Sequence, residues 1–259
     1  MNPDIPAVTR KRIADDLRTL GLARGNVVLM HSSLSALVRV EGGPGTVLDA
    51  LLDVITPEGT LLLPSFQNGG EYDLLQKGCS FDVRSSPAEL GIITETFRLR
   101  PGVIRSLSPT HCLAGIGRDA ETILADHQRC SVSAGRGSPF EKFIAHNGKI
   151  ILLGVTHGSN TTLHYVENIS GAPTISQQLF KPVVIDRDGH SHVVPTYPHM
   201  PGLQRKYARV EDVLLAAGIQ RNGNVGPAMT RLVDAPRMVD LIGQKVRQDP
   251  LYLIEVFTP

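Results

Sequence analysis

The 259-residue chain has no tryptophan, only 5% aromatic residues, three cysteines, and no apolar run near the roughly 20 residues that a membrane helix needs. Each scarcity excludes something. Cys79, Cys112 and Cys130 are too few and too irregularly spaced for a disulfide framework, and a chain of this length buries a core without staples. Reduced thiols and a cytoplasmic location are the expectation. Met1 to Gly21 carries charges at amphipathic spacing and lacks the apolar centre of a signal peptide. With 26 basic against 25 acidic side chains, the net charge of +1 is not the electrostatic footprint of a nucleic-acid binder. Repeats and low-complexity tracts are absent, and Gly42-Gly43-Pro44-Gly45 lacks the Lys and Ser/Thr of an ATP phosphate loop. The class left standing is a small-molecule enzyme, with neither nucleic acid nor membrane as partner.

What is present is an alternation of helical and buried-strand patterns. Ile13, Leu17 and Leu20 recur at helical spacing between Thr9, a candidate N-cap, and Gly21. Asn26 to His31 is a short, continuous apolar run, as a strand buried on both faces requires. Val47, Leu48, Leu51, Leu52 and Ile55 form a helical stripe opened by proline, and a second strand is expected at Thr60–Pro64. This βαβ unit closes right-handed and puts the end of its first strand at an open crevice. Ser86-Pro-Ala-Glu89 and Ser138-Pro-Phe-Glu141 match the capping box and predict two helix starts. Lys149 to Val155 reads as a strand and Asn160 as the start of another helix. Val183 to Val194 reads as a hairpin turning at Asp188-Gly189. Val210, Val213, Leu214 and Ala217, ending at Gly218, mark a further helix; Met238, Leu241, Ile242 and Val246 mark another, before an apolar tail, Leu251 to Phe257. The expected fold is α/β: a three-layer αβα arrangement, its central sheet mostly parallel but mixed, with one antiparallel hairpin excursion.

Ligands of open α/β sheets bind beyond the carboxyl ends of the strands, so two segments matter most. His31-Ser32-Ser33-Leu34-Ser35 offers three hydroxyls and a turn of backbone amides, suited to a phosphate or an oxyanion, or else to a plain helix cap. In Thr156 to Glu167, capping by Asn160 places His164 in the first turn, where the helix dipole opposes protonation, with Glu167 on the same face. A contact between the two is not legible in the spacing. His157 reads as a loop histidine. His190 and His192 share a strand face with His199 near, but no Cys or carboxylate is spaced to complete a metal site, so none is expected. His111 and Cys112 are adjacent, hence on opposite faces of a strand, which disfavours a thiol dyad and leaves Cys112 to the core.

Several short segments, in order between Leu20 and Ser170, together carry a resemblance. They are His31-Ser-Ser-Leu-Ser35 with Val40-Glu-Gly-Gly43, Gly59-Thr-Leu-Leu-Leu-Pro64, Pro101-Gly-Val-Ile-Arg-Ser106 with Ser108-Pro-Thr-His111, Gly137-Ser-Pro139, Leu152-Leu-Gly154, and Asn160-Thr-Thr-Leu-His-Tyr-Val-Glu167. The chain resembles the aminoglycoside 3-N-acetyltransferases and their acyl-coenzyme A dependent relatives. The resemblance implies one acyltransferase domain over residues 1–259, with a hairpin-containing insertion at about 176–205. It implies transfer of an acetyl group from acetyl-coenzyme A (acetyl-CoA) to a small-molecule amine through a ternary complex. By the same resemblance, His31, Ser32, Ser33, Leu34 and Ser35 lie against the coenzyme, with Ser106, Ser108 and Thr110 on the same side. His164 is the catalytic histidine, with Glu167 beside it. Cys112 departs from the family's usual serine. A polycationic acceptor calls for several carboxylates, and few are placed for it: Glu71 and Asp73, flanking Tyr72, are the candidate acceptor contacts, and Glu211 with Asp212 are further off. The alternatives are a hydrolase in which His164 and Glu167 activate water, and a non-catalytic coenzyme-binding protein. Oligomeric state is open between monomer and homodimer.

Overall fold

Thr9 and Gly21 bracket the first helix in the way their chemistry dictates. The Thr9 hydroxyl accepts the Arg12 amide at 3.2 Å, and Gly21, at φ 115°, closes α1 (Arg10–Leu20) in the left-handed conformation that glycine adopts without strain. A computed structural model describes residues 6–255 of the chain. Val256 and Phe257 of the expected apolar tail lie outside the described residues.

The strands are β1 (Val27–Ser32), β2 (Thr60–Pro64), β3 (Ser80–Asp82), β4 (Ile104–Arg105), β5 (Leu113–Gly117), β6 (Lys149–Leu153), β7 (Val183–Ile185), β8 (Ser191–Val193), β9 (Gln204–Arg205), β10 (Gln220–Val225), β11 (Ala228–Asp234) and β12 (Ile254–Glu255). The helices after α1 are α2 (Pro44–Ile55), α3 (Glu71–Gln76), α4 (Ile92–Arg98), α5 (Ala120–Leu124), α6 (Pro139–Ala145), α7 (Thr162–Ser170), α8 (Val210–Ala216) and α9 (Ala235–Gln248). Seven strands form the central sheet in the order β10-β11-β6-β1-β2-β5-β4. β6, β1 and β2 run parallel, β11 and β5 run against them, and the outermost β10 and β4 return to the first direction, so the sheet is mixed with most strands pointing one way.

The apolar run in β1 is continuous because the strand serves two cores. Val28 and Met30 pack with α1, α2 and α4 on one face, while Val27 and Leu29 pack with α5 to α9 on the other. This is the three-layer αβα arrangement. No helix among the described residues is long and apolar enough to cross a membrane. The expected hairpin is β7–β8, paired antiparallel as Val183↔Val193. It does more than interrupt the order, because β7 also pairs in parallel with β3 in a separate three-stranded sheet, over a small core of Phe81, Cys112, Val184 and Val194.

Two capping boxes fare differently. Pro139 begins α6 as expected, yet the Ser138 side chain makes no cap hydrogen bond, and the Glu141 carboxylate accepts from Gly137 N at 2.6 Å instead. No helix starts at Ser86-Pro-Ala-Glu89. There the Ser86 hydroxyl accepts Asp82 N and the Glu89 carboxylate accepts Asn68 N, so both capping groups are spent on loop contacts, and α4 begins only after Gly91.

From β1 the chain crosses to β2 on one side, whereas β6 lies on the other, so the ends of β1 and β6 form the topological switch point. The serine turn closes over it. Ser33 N donates to Leu153 O at 2.9 Å, and Gly154, at φ 65°, lies so close that a Cβ there would meet the Ala36 Cβ at 2.2 Å.

Candidate active site

α7 starts where Asn160 can act in two directions. Its side-chain oxygen accepts Thr162 N at 3.2 Å, and its amide meets His157 Nδ1 at 3.2 Å. The helix proper begins one residue later than a cap at Asn160 would give, with His164 still in the first turn. Glu167 follows on the buried face with no exposed surface, and its Oε2 lies 3.1 Å from His164 Nδ1. The Tyr207 hydroxyl lies 2.9 Å from the same nitrogen. His164 Nε2 has no protein partner among the described residues, and the ring lines a cavity of about 290 Å³.

A sealed carboxylate needs a donor, so the Nδ1 proton belongs on the Glu167 side, which assigns an unprotonated Nε2 to the cavity. Burial, aided by the nearby His199 ring, pushes the His164 pKa down to about 3 against the opposing pull of Glu167. Burial works against the Glu167 charge, but His164 first and then Arg205 and His199 outweigh it and hold its carboxyl below the usual range. Arg205 Nε stands 3.6 Å from the other Glu167 oxygen, an ion pair on the wall of the cavity.

Opposite His164 lies a second polar cluster built around Glu71, the first residue of α3. Its buried carboxylate accepts from the Thr110 hydroxyl at 2.5 Å, the Ser133 hydroxyl at 2.7 Å, and His199 through both backbone N and Nδ1. Burial opposes its ionisation, but His111 and His199 outweigh that and hold it well below the usual carboxylate range. The ring centroids of His111 and His199 lie 5.3 and 4.4 Å from that of His164.

The cavity thus gathers His164, Thr110, Glu71, Tyr72 and Asp73 among the expected site residues. It does not include His31 to Ser35, Ser106 or Ser108. His31 is buried with Nε2 sealed and unpartnered, and burial, then the His157 charge, lowers its pKa to about 3. Ser33 and Leu34 are half-buried and Ser35 is exposed. The Ser106 hydroxyl is committed to Leu113 N and to His127 Nδ1, and Ser108 is buried. Glu211 lies at another place, accepting from Arg231 at 2.7 Å. His199, Tyr207, Ser133 and Arg205 had no local signal: their neighbours are far away in the chain. His199 does not join His190 and His192, and the carboxylate missing from the spacing around His192 is Asp186, at 2.7 Å. Cys112 is core, its Sγ 3.0 Å from Ser106 O and its pKa raised by burial.

A family model for the aminoglycoside 3-N-acetyltransferases matches residues 29–247, which spans every element from β1 to α9 that frames this cavity. The chain belongs to that family. Aminoglycoside N(3)-acetyltransferase IX of Micromonospora chalcea is 32% identical over 253 residues, covering 88% of this chain and 89% of the relative. The crystal structure of aminoglycoside acetyltransferase AAC(3)-Xa superposes with a TM-score of 0.83 at 34% identity, covering 93% of each chain. A structure of AAC-IIIb in binary complex with CoASH gives a TM-score of 0.83 at 26% identity, covering 98% of this chain and all of that one. Members of this family are enzymes, and the acetyltransferase fold extends over the whole cleft.

Proposed function

We propose that this chain transfers the acetyl group of acetyl-CoA to an amine of an aminoglycoside or a related amino sugar, with His164 as general base. The observation that carries the reading is the His164–Glu167 contact at 3.1 Å beneath the cavity, because it leaves a neutral imidazole with its free lone pair toward the space where two substrates can meet. The amine nitrogen attacks the thioester carbonyl, the C–N bond forms and the C–S bond breaks. The nitrogen proton passes to His164 Nε2 and from there to the coenzyme thiolate. Glu167 stabilises the transient imidazolium and keeps the ring oriented. A base so placed contributes about 10² to 10⁴ in rate, and side-by-side binding adds proximity to that.

The relative solved with CoASH supports coenzyme A as cosubstrate. The serine turn from His31 to Ser35, with Ser106, Ser108 and Thr110, is the proposed coenzyme side, its accessible part being Ser33, Leu34 and Ser35. Tyr72 and Asp73 are proposed acceptor contacts; Glu71, whose oxygens are already engaged, acts there by holding the wall in place.

Release of free thiol from acetyl-CoA, measured against a panel of aminoglycosides and simple amines, tests the reading. Amine-dependent release is expected, and His164→Ala should lower kcat about 10²- to 10⁴-fold while coenzyme A still raises the melting temperature. Thiol release that is indifferent to every amine sinks the transferase reading and favours the hydrolase.

A further inference from the structure

His111 stands in the same cavity as His164, and its protonation pattern follows from counting hydrogens. The Ser133 hydroxyl has one proton, which it donates to the Glu71 carboxylate at 2.7 Å. Its oxygen lies 2.8 Å from His111 Nδ1, so it can only accept there, and His111 carries its hydrogen on Nδ1. Nε2 is then a bare lone pair. That atom has no protein partner among the described residues, and unlike His31 Nε2 it is not sealed in the protein. Glu71 itself lies 3.4 Å from His111 Nδ1, placed to stabilise an imidazolium. The ring is held by Phe66 at a centroid distance of 5.2 Å, His199 at 5.5 Å and His164 at 5.3 Å.

Two such lone pairs in one cleft match a proton count. An aliphatic amine arrives as an ammonium ion and must shed one proton before it has a lone pair to attack with, and a second as the amide forms. The leaving thiolate takes back only one. We propose that His111 is a second catalytic base, whose Nε2 takes the proton of the acceptor ammonium and passes it to solvent, leaving His164 to carry the other proton from nitrogen to sulfur. The balance closes: ammonium and thioester give amide, thiol and one released proton. This assignment rests on the acetyl-transfer reading above.

The test compares two acceptors in wild type and His111→Gln. One is an aliphatic amine, protonated at pH 7; the other is a hydrazide, whose terminal nitrogen is unprotonated at that pH. For the aliphatic amine kcat/KM should fall about 100-fold in the variant, whereas for the hydrazide it should change less than about threefold. Ser133→Ala, which frees the Nδ1 tautomer, should show the same selectivity in weaker form. Equal losses on both acceptors, or no loss on either, overturn the assignment, as does a variant that fails on the hydrazide while still gaining melting temperature from coenzyme A. A wild type that acetylates neither acceptor, nor any other amine, removes the parent reading instead.

Discussion

The Tyr207 hydroxyl oxygen lies 2.9 Å from His164 Nδ1, on a short turn 43 positions further along the chain. It is the second oxygen at a nitrogen already facing Glu167, so one N–H is steered by two groups from different elements. Burial, then the Glu167 charge, raises the phenol pKa well above its ordinary value, so it stays protonated throughout the working range. The His164 ring is thereby fixed from a helix and from the segment after β9 at once.

Tyr207→Phe removes one of these two restraints and no charge. The expected cost is one hydrogen bond, a fall in kcat of about tenfold with coenzyme affinity unchanged. Steady-state kinetics with acetyl-CoA varied at saturating acceptor measure it. A kcat equal to that of wild type takes Tyr207 out of the positioning role.

Stability should depend on pH through buried histidines. Burial lowers the pKa of His31 and His164 to about 3 and that of His127 to about 4, against 6.5 for an ordinary histidine. Between those values the unfolded chain binds protons that the folded chain refuses, so the folded state loses stability as pH falls below about 6.5, and the dependence vanishes above it. At pH 5 unfolding should take up about three protons from these groups. Urea denaturation at closely spaced pH values gives the total uptake, to which these three rings contribute with His157 and the depressed carboxylates, and His127→Gln should reduce it by about one; a flat profile between pH 5 and 7 contradicts the burial of these rings.

Gly154 sits at the switch point with φ 65°, and any Cβ there would meet Ala36 at 2.2 Å. Gly154→Ala should therefore destabilise the fold by about 2 to 3 kcal/mol and push the serine turn away from the end of β6. The discriminating readout is the shift in melting temperature on adding coenzyme A, which should shrink more than for a control substitution of similar cost far from the turn, such as Phe143→Leu in α6. An undiminished shift separates the turn from coenzyme binding.

Local chemistry was legible where neighbours in sequence are also neighbours in space. Thr9 and Gly21 bound α1, Pro44 opens α2, and the bare apolar runs of β1, β2 and β6 announced strands covered on both faces. That His164 and Glu167 share one helical face was likewise readable, because residues three apart lie on the same side of a helix, whereas their contact at 3.1 Å was not. Ser86-Pro-Ala-Glu89 misled for the complementary reason: Asp82 N and Asn68 N compete for the same oxygens and win once the loop is folded. Strand β10 gave no alternating signal, since Gln220 to Asn224 is polar along an edge where one side meets water.

By itself the sequence determined α1, α2, α6 to α9, the strands β1, β2 and β6, the β7–β8 hairpin, the αβα class and the His164–Glu167 face, since these follow from backbone preference and helical or strand period. Only the tertiary structure decided that Glu71, Ser133, His111, His199, Arg205 and Tyr207 meet around that imidazole. The reason is physical: a buried carboxylate or imidazole must find its hydrogen-bond partners wherever the folded chain supplies them, and those partners came from segments tens of positions apart that no local periodicity relates.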